Sequence, residues 1–146
     1  TLELYEKDPM CLSRIRVTKD LPADVWTQMD PKHLRQILWN LLLNAAQAIN
    51  GNGTVHVSCE SSDGMVRIEI TDNGCGMSEE TQKQVFNPFF TTRTQGTGLG
   101  LSIVHRLLES YGGRIDVRST EGQGTLFLLY LERIDPPPFT LTPPGK

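Results

Sequence analysis

Asn40 and Asn44 stand four residues apart, with Gln47 three further on, in a run that is otherwise apolar from Ile37 to Ile49. Residues three and four apart share one face of a helix, so this spacing gathers three amides on one stripe. Burying an unpaired amide costs about 1–3 kcal/mol, so the stripe requires partners. Two readings fit. The amides bond to a neighbouring element, or they face a polar ligand. An Asn carbonyl oxygen suits Mg²⁺, a hard ion that keeps several waters and takes its remaining ligands from phosphates.

A second group is Asp72-Asn73-Gly74-Cys75-Gly76-Met77, just past a strand-like segment. The glycines allow backbone to approach a flat ligand closely. The Asp72 carboxylate can accept from the exocyclic amine of adenine, a group guanine does not present in the same place, and such a buried group discriminates strongly. The plainer reading is an Asp-Asn-Gly turn with a side-chain cap. Cys75 is read as a small space-filler rather than a nucleophile.

The third group, Gly96-Thr97-Gly98-Leu99-Gly100-Leu101, opens a helix. Its backbone N–H groups can point at phosphate oxygens, and a helix N-terminus favours negative charge. The G-x-G-x-G spacing follows a Phe-rich loop rather than a strand, so it is neither the dinucleotide fingerprint nor a P-loop. Between the second and third groups lies Phe86-Asn87-Pro88-Phe89-Phe90-Thr91-Thr92-Arg93. Its phenylalanines can pin a lid to the core, leaving Thr91 to Gln95 to close over a triphosphate. A small aromatic cluster is the plainer reading. Arg93 suits a phosphate contact or open solvent equally.

These groups need elements to hold them. Ser13–Thr18 alternates as a strand, and Val25–Met29 reads as another after the Leu21-Pro22 turn. Asp30-Pro31 predicts a helix start, and Leu34, Ile37, Leu38, Leu41, Leu42, Ala45 and Ile49 continue it at helical spacing up to Asn50-Gly51. Thr54–Glu60 and Met65–Thr71 alternate about Asp63-Gly64, a hairpin signal. Ser78 starts a short helix to Val85, and Leu101–Tyr111 forms another that stops at Gly112-Gly113. Arg114–Ser119 and Thr125–Leu131 are strands joined by a turn at Glu121–Gly124. Strand pairs alternate with helices, but not as βαβ repeats. The expected fold is an α/β (α+β) two-layer sandwich: a mixed, mostly antiparallel sheet of about five strands with helices on one face.

Composition excludes several classes. The 146 residues suit one compact domain. With a net charge of −3 and no basic block interleaved with aromatics, nucleic acid is not the expected partner. The Ile37–Ile49 stretch is too short to span a bilayer, so no membrane contact is expected of this domain. Cys11, Cys59 and Cys75 form no C-x-x-C pair, which points to a reducing, cytoplasmic setting and away from a disulfide framework or zinc site.

The four groups occur in a specific order. N-L-L-L-N-A at 40–45, D-N-G-C-G-M at 72–77, F-N-P-F-F-T-T at 86–92 and G-T-G-L-G-L at 96–101 resemble the N, G1, F and G2 boxes of sensor histidine kinase catalytic domains. These belong to the ATPase superfamily shared with gyrase, heat-shock chaperones and mismatch-repair proteins. The resemblance runs from about Ser13 to Leu131 and includes the S-I-V-H-R-L-L-E-S-Y-G-G-R-I-D-V run. It implies the left-handed-crossover (Bergerat) sandwich, and ATP and Mg²⁺ as cofactors.

Carried over by position, Asn44 resembles the Mg²⁺ ligand, and Asn40 the first Asn of the N box. Asp72 resembles the adenine-amine acceptor. Gly74 and Gly76 would shape the adenine pocket, with Thr125 supporting its water network. Ala48, Ile70 and Met77 are candidates for the ring face. Phe89, Thr92 and Arg93 would belong to the lid. Gly96, Thr97, Gly98, Leu99, Gly100 and Leu101 would line the phosphates. Gln47 departs from the pattern, standing where many family members carry a Lys toward the phosphates.

The resemblance implies γ-phosphoryl transfer to a histidine on a separate dimerisation domain. Hydrolytic relatives carry a Glu where Asn40 stands, and a neutral amide cannot act as general base. Rapid hydrolysis, as in a gyrase-type switch, is therefore not expected; an anti-sigma-type serine kinase also usually has an acid there. His33, His56 and His105 do not fit the acceptor motif of His followed by an acid. The acceptor helices are accordingly expected before Thr1, with a response regulator downstream, and this piece is expected to be monomeric. Residues 1–12 read as linker remnant, 13–133 as the ATP-binding domain and 134–146 as a Pro-rich tail.

Overall fold

The protein is described by a computed structural model covering residues 14–91 and 100–136. In chain order the elements are β1 (Ile15–Asp20), α1 (Pro31–Ala48), β2 (Gly53–Ser62), β3 (Met65–Asp72), α2 (Glu79–Gln84), α3 (Gly100–Ser110), β4 (Arg114–Thr120) and β5 (Gly124–Glu132).

Local chemistry explains the boundaries. The Asp30 side chain accepts the Lys32 N–H at 2.8 Å and Pro31 follows, so α1 starts where a cap and a pre-set φ coincide. The Ser78 hydroxyl accepts the Thr81 N–H at 3.2 Å and caps α2. Asp63 (φ 53°) and Gly64 (φ 75°) both take left-handed backbone, the geometry of a tight hairpin turn whose twist matches its strands. One expectation fails: Val25–Met29 is not a strand. Met29 drops into the core at 6% exposed, and the Trp26 carbonyl accepts the Ile134 N–H. A residue recruited to the core and a bond to the far end of the chain take the place of a strand ladder.

The strands form one sheet in the order β1-β2-β3-β5-β4. β1 pairs with β2 in parallel, because the connection runs through α1, whereas the other three pairs are antiparallel. Register divides the sheet into two chemically different faces. On one, Cys59, Ile68, Leu129 and Ile115 line up across four strands, and Val57, Ile70, Phe127 and Val117 form the next row. On the other, Glu69 and Asp116 flank Leu128, and Arg67 and Arg114 flank Tyr130. The Arg114 guanidinium stacks 4.2 Å from the Tyr130 ring centre, and Arg67 pairs with Glu60 and Glu69.

Helix α1 buries Ile37, Leu41, Leu42, Ala45 and Ala46 in the same core as the apolar sheet rows. Helix α3 packs beside it through Val104 and Leu108, both fully buried. Tyr111 ties the two helices together: its hydroxyl lies 2.6 Å from His33 Nδ1 and accepts the Asp30 N–H at 3.2 Å. This is the expected two-layer arrangement, with the helices on the apolar face.

Candidate nucleotide site

The last row of the apolar face turns polar. Val55, Asp72, Thr125 and Ser119 are register partners across β2, β3, β5 and β4, at the end of the sheet where the chain leaves β3. Directly opposed residues of antiparallel strands project to the same face. Asp72 and Thr125 are each only 6% exposed. The Asp72 carboxylate accepts the Gly74 N–H at 2.8 Å and also the backbone N–H of Thr125. Burial pushes its pKa above the ordinary Asp value, and those two hydrogen bonds oppose the shift. A carboxylate has about four lone-pair sites, so acceptor capacity remains for a ligand.

The loop after Asp72 is stitched down on three sides. The Asn73 side chain accepts the Thr54 N–H at 2.8 Å. Cys75 donates its N–H to the Ala48 carbonyl at 2.8 Å and accepts the Gly122 N–H at 2.7 Å. Gly74 presses on the end of α1 so tightly that a β-carbon there would lie 2.6 Å from the Ala48 carbonyl oxygen. Ala48 is thus the seat of the loop. Met77 is partly buried against the core, and Ile70 lies in the core row next to Asp72.

Asn40 and Asn44 are half-buried on α1, whereas Gln47 is exposed. The Gln47 amide, being exposed, carries no burial cost. The Asn40 amide oxygen would be 3.8 Å from a β-carbon placed on Gly100, so the amide faces the first residue of α3. Leu101 is partly buried against the core. Helix α1 thus meets the start of α3 at Asn40 and the Asp72 loop at Ala48. Thr92, Arg93, Gly96, Thr97, Gly98 and Leu99 lie outside the described residues.

Phe86 and Phe89 do not act together as a pin. Phe86 packs into the core, its ring 6.5 Å from that of Phe127 and 5.6 Å from that of His105. Phe89 instead is 74% exposed with a φ of 65°, a backbone state side chains rarely adopt. A left-handed residue reverses the chain, and here the reversal carries the ring outward.

Sequence reasoning missed Gln82 and Ser119. Gln82 Nε2 donates to the Ser119 carbonyl at 3.0 Å and to the Met77 carbonyl at 3.1 Å, while Oε1 accepts the Ser119 N–H at 3.1 Å. The Ser119 hydroxyl accepts the Met77 N–H at 2.7 Å and lies 2.9 Å from Thr125 Oγ1. Counting pairs outward from the turn at Glu121–Gly124 places Ser119 opposite Thr125, a signal available in the sequence. Nothing in the sequence marks Gln82.

Residues 29–134 match the family model described as Histidine kinase-, DNA gyrase B-, and HSP90-like ATPase. The chain belongs to that family. It is an ATP-binding domain of the histidine kinase type.

Within that ATPase family, the chain is 41% identical over 134 residues to sensor histidine kinase ZraS of Escherichia coli O157:H7, covering 90% of this chain and 29% of that protein. It is 36% identical to sporulation kinase E of Bacillus subtilis, over 82% of this chain and 16% of that one. The chain therefore spans under a third of the curated relatives it matches. Among solved structures, the nucleotide-free catalytic domain of histidine kinase ThkA superposes with a TM-score of 0.80 at 30% identity, covering 90% of this chain and 88% of that one. Full-length ShkA in complex with AMPPNP gives 0.78 at 28% identity, over 92% of this chain and 29% of that one. Among the described residues no helix is long and apolar enough to cross a membrane.

Proposed function

We propose that this domain is the catalytic part of a two-component sensor histidine kinase, holding Mg-ATP so that its γ-phosphate meets a histidine on separate dimerisation helices. The observation that carries the reading is the buried Asp72, held by the backbone of Gly74 and Thr125 at the end of the sheet. A carboxylate kept there at the cost of desolvation, with unused lone pairs, suits a donor such as the adenine amine. The relatives named as sensor histidine kinases support the same reading.

The donor set fits magnesium. Among the described residues no cluster of three or more His, Cys, Asp or Glu could hold a metal ion. An ion here would rest on an amide oxygen and the nucleotide's own phosphates, the arrangement Mg²⁺ accepts. Asn44 would be that ligand, with Asn40 one turn away facing the start of α3. Magnesium, when bound, neutralises phosphate charge. The chain's own residues bind the base and orient the triphosphate, and the amide at Asn40 offers water no general base at that position.

The domain organisation follows from this reading: residues 13–133 as the catalytic domain, 1–12 as linker and 134–146 as tail, with a response regulator receiving the phosphoryl group. To test it, the chain is mixed with Mg-ATP labelled on the γ-phosphate and the acceptor helices of a histidine kinase relative. Acid-labile, base-stable label on those helices, with little free phosphate, is the expected result. Steady release of phosphate without transfer would overturn it in favour of a hydrolytic switch.

A further inference from the structure

The Ser119 hydroxyl makes three close contacts and owns one proton. It accepts the Met77 N–H at 2.7 Å, lies 2.8 Å from the Gly124 carbonyl oxygen and lies 2.9 Å from Thr125 Oγ1. A carbonyl oxygen can only accept. If Ser119 gave its proton to Thr125, two oxygens without a hydrogen between them would face each other at the Gly124 contact. The proton therefore goes to Gly124, and the Thr125 hydroxyl must donate to Ser119. With its proton spent, Thr125 has only lone pairs left to offer a ligand. Its register neighbour Asp72 is also an acceptor.

We propose that Ser119, held in place by Gln82, is a positioning residue that sets the Thr125 hydroxyl as an acceptor and so makes the Asp72–Thr125 edge select a base with an amine, adenine, over one with a carbonyl at the same place. The inference rests on the nucleotide site proposed above. β4 is the edge strand of the sheet, so its outer backbone groups lack a strand partner. Gln82 supplies one, since its amide both donates to and accepts from the Ser119 backbone. The N–H of Ser119 demands the amide oxygen, and the carbonyls of Ser119 and Met77 demand the nitrogen, so the amide has one orientation. The clamp thus fixes the strand segment that carries the hydroxyl.

The test titrates the chain with Mg-ATP and Mg-ITP by calorimetry; ITP carries a carbonyl oxygen where ATP carries the amine. The parent chain is expected to prefer ATP. Ser119→Ala frees the Thr125 proton to turn toward that carbonyl, and the ATP:ITP affinity ratio should narrow about tenfold, the size of one hydrogen bond made or lost. Ser119→Thr restores the hydroxyl and should restore the ratio. A merely structural Ser119 would weaken both nucleotides together, so an unchanged ratio overturns the proposal. Should Ser119→Ala not fold, Gln82→Leu keeps the hydroxyl but releases its strand, and must also narrow the ratio; an unchanged ratio there overturns it equally. A parent chain that binds neither nucleotide is a different failure, and refutes the nucleotide site itself.

Discussion

Gly76 and Thr120 are in such close contact that no β-carbon fits between them: one built on Gly76 would overlap the Thr120 carbonyl. Gly76 also has a φ of 68°, a left-handed state that side chains resist. The loop carrying Met77 is thereby pressed onto the β4–β5 turn. Gly112 has a similar φ of 70° but open space around it. Comparing the two glycines separates backbone strain from overlap. Gly112→Ala is expected to cost about 1 kcal/mol in urea unfolding, the strain alone. Gly76→Ala should cost about 2 kcal/mol more and weaken nucleotide binding, because the loop must move. Equal costs would show that the loop yields freely.

Asp72→Asn separates binding from stability. Nucleotide affinity should fall by about 1–3 kcal/mol, since the amide presents a donor where an acceptor is needed. Stability should move differently. Because the folded state raises the Asp72 pKa, the folded protein holds that proton more tightly than the unfolded chain does. Ionising it costs stability, and the cost grows as pH rises from the ordinary value of 3.8 through the raised folded value. Urea unfolding across that window should therefore shift in favour of Asp72→Asn as pH rises. A difference that shifts toward the parent chain would mean that hydrogen bonding, not burial, dominates at this carboxylate.

Asn44→Ala should leave the fold intact, because the side chain is only half-buried. It should abolish the Mg²⁺ dependence of triphosphate binding. Titrations with ATP in magnesium and in EDTA measure this directly; a variant that still requires magnesium would place the metal ligand elsewhere.

Phe86 and Phe89 should behave oppositely. Phe86→Ala removes a ring packed on Phe127 and His105 and should cost about 2 kcal/mol, less than a fully buried aromatic. Phe89→Ala removes a ring that is 74% exposed and should leave the melting temperature within error. A destabilised Phe89→Ala would mean that the ring has a partner within the chain.

Much of the molecule was legible in its sequence because the determining signals are local. Asp30-Pro31 marks the start of α1, Asp63-Gly64 the hairpin turn, and alternation in 54–60 and 65–71 the two central strands. The order of the four boxes settled the family, since each needs particular residue types at fixed short spacing. Tertiary structure decided what depends on distance along the chain. Val25–Met29 carries a strand pattern, yet the core claims Met29 and Ile134 claims Trp26. The amide stripe extends to Gln47 in sequence, but the packing of the elements leaves that residue exposed. Phe89 turns outward on a backbone angle no residue pattern announces. The polar row from Asp72 through Thr125 to Ser119 joins residues from three strands, and Gln82 reaches it from a helix 37 residues away. Spacing along the chain specifies which atoms are neighbours within one element. Only packing the elements together specifies which hydroxyl shares its proton with which carbonyl.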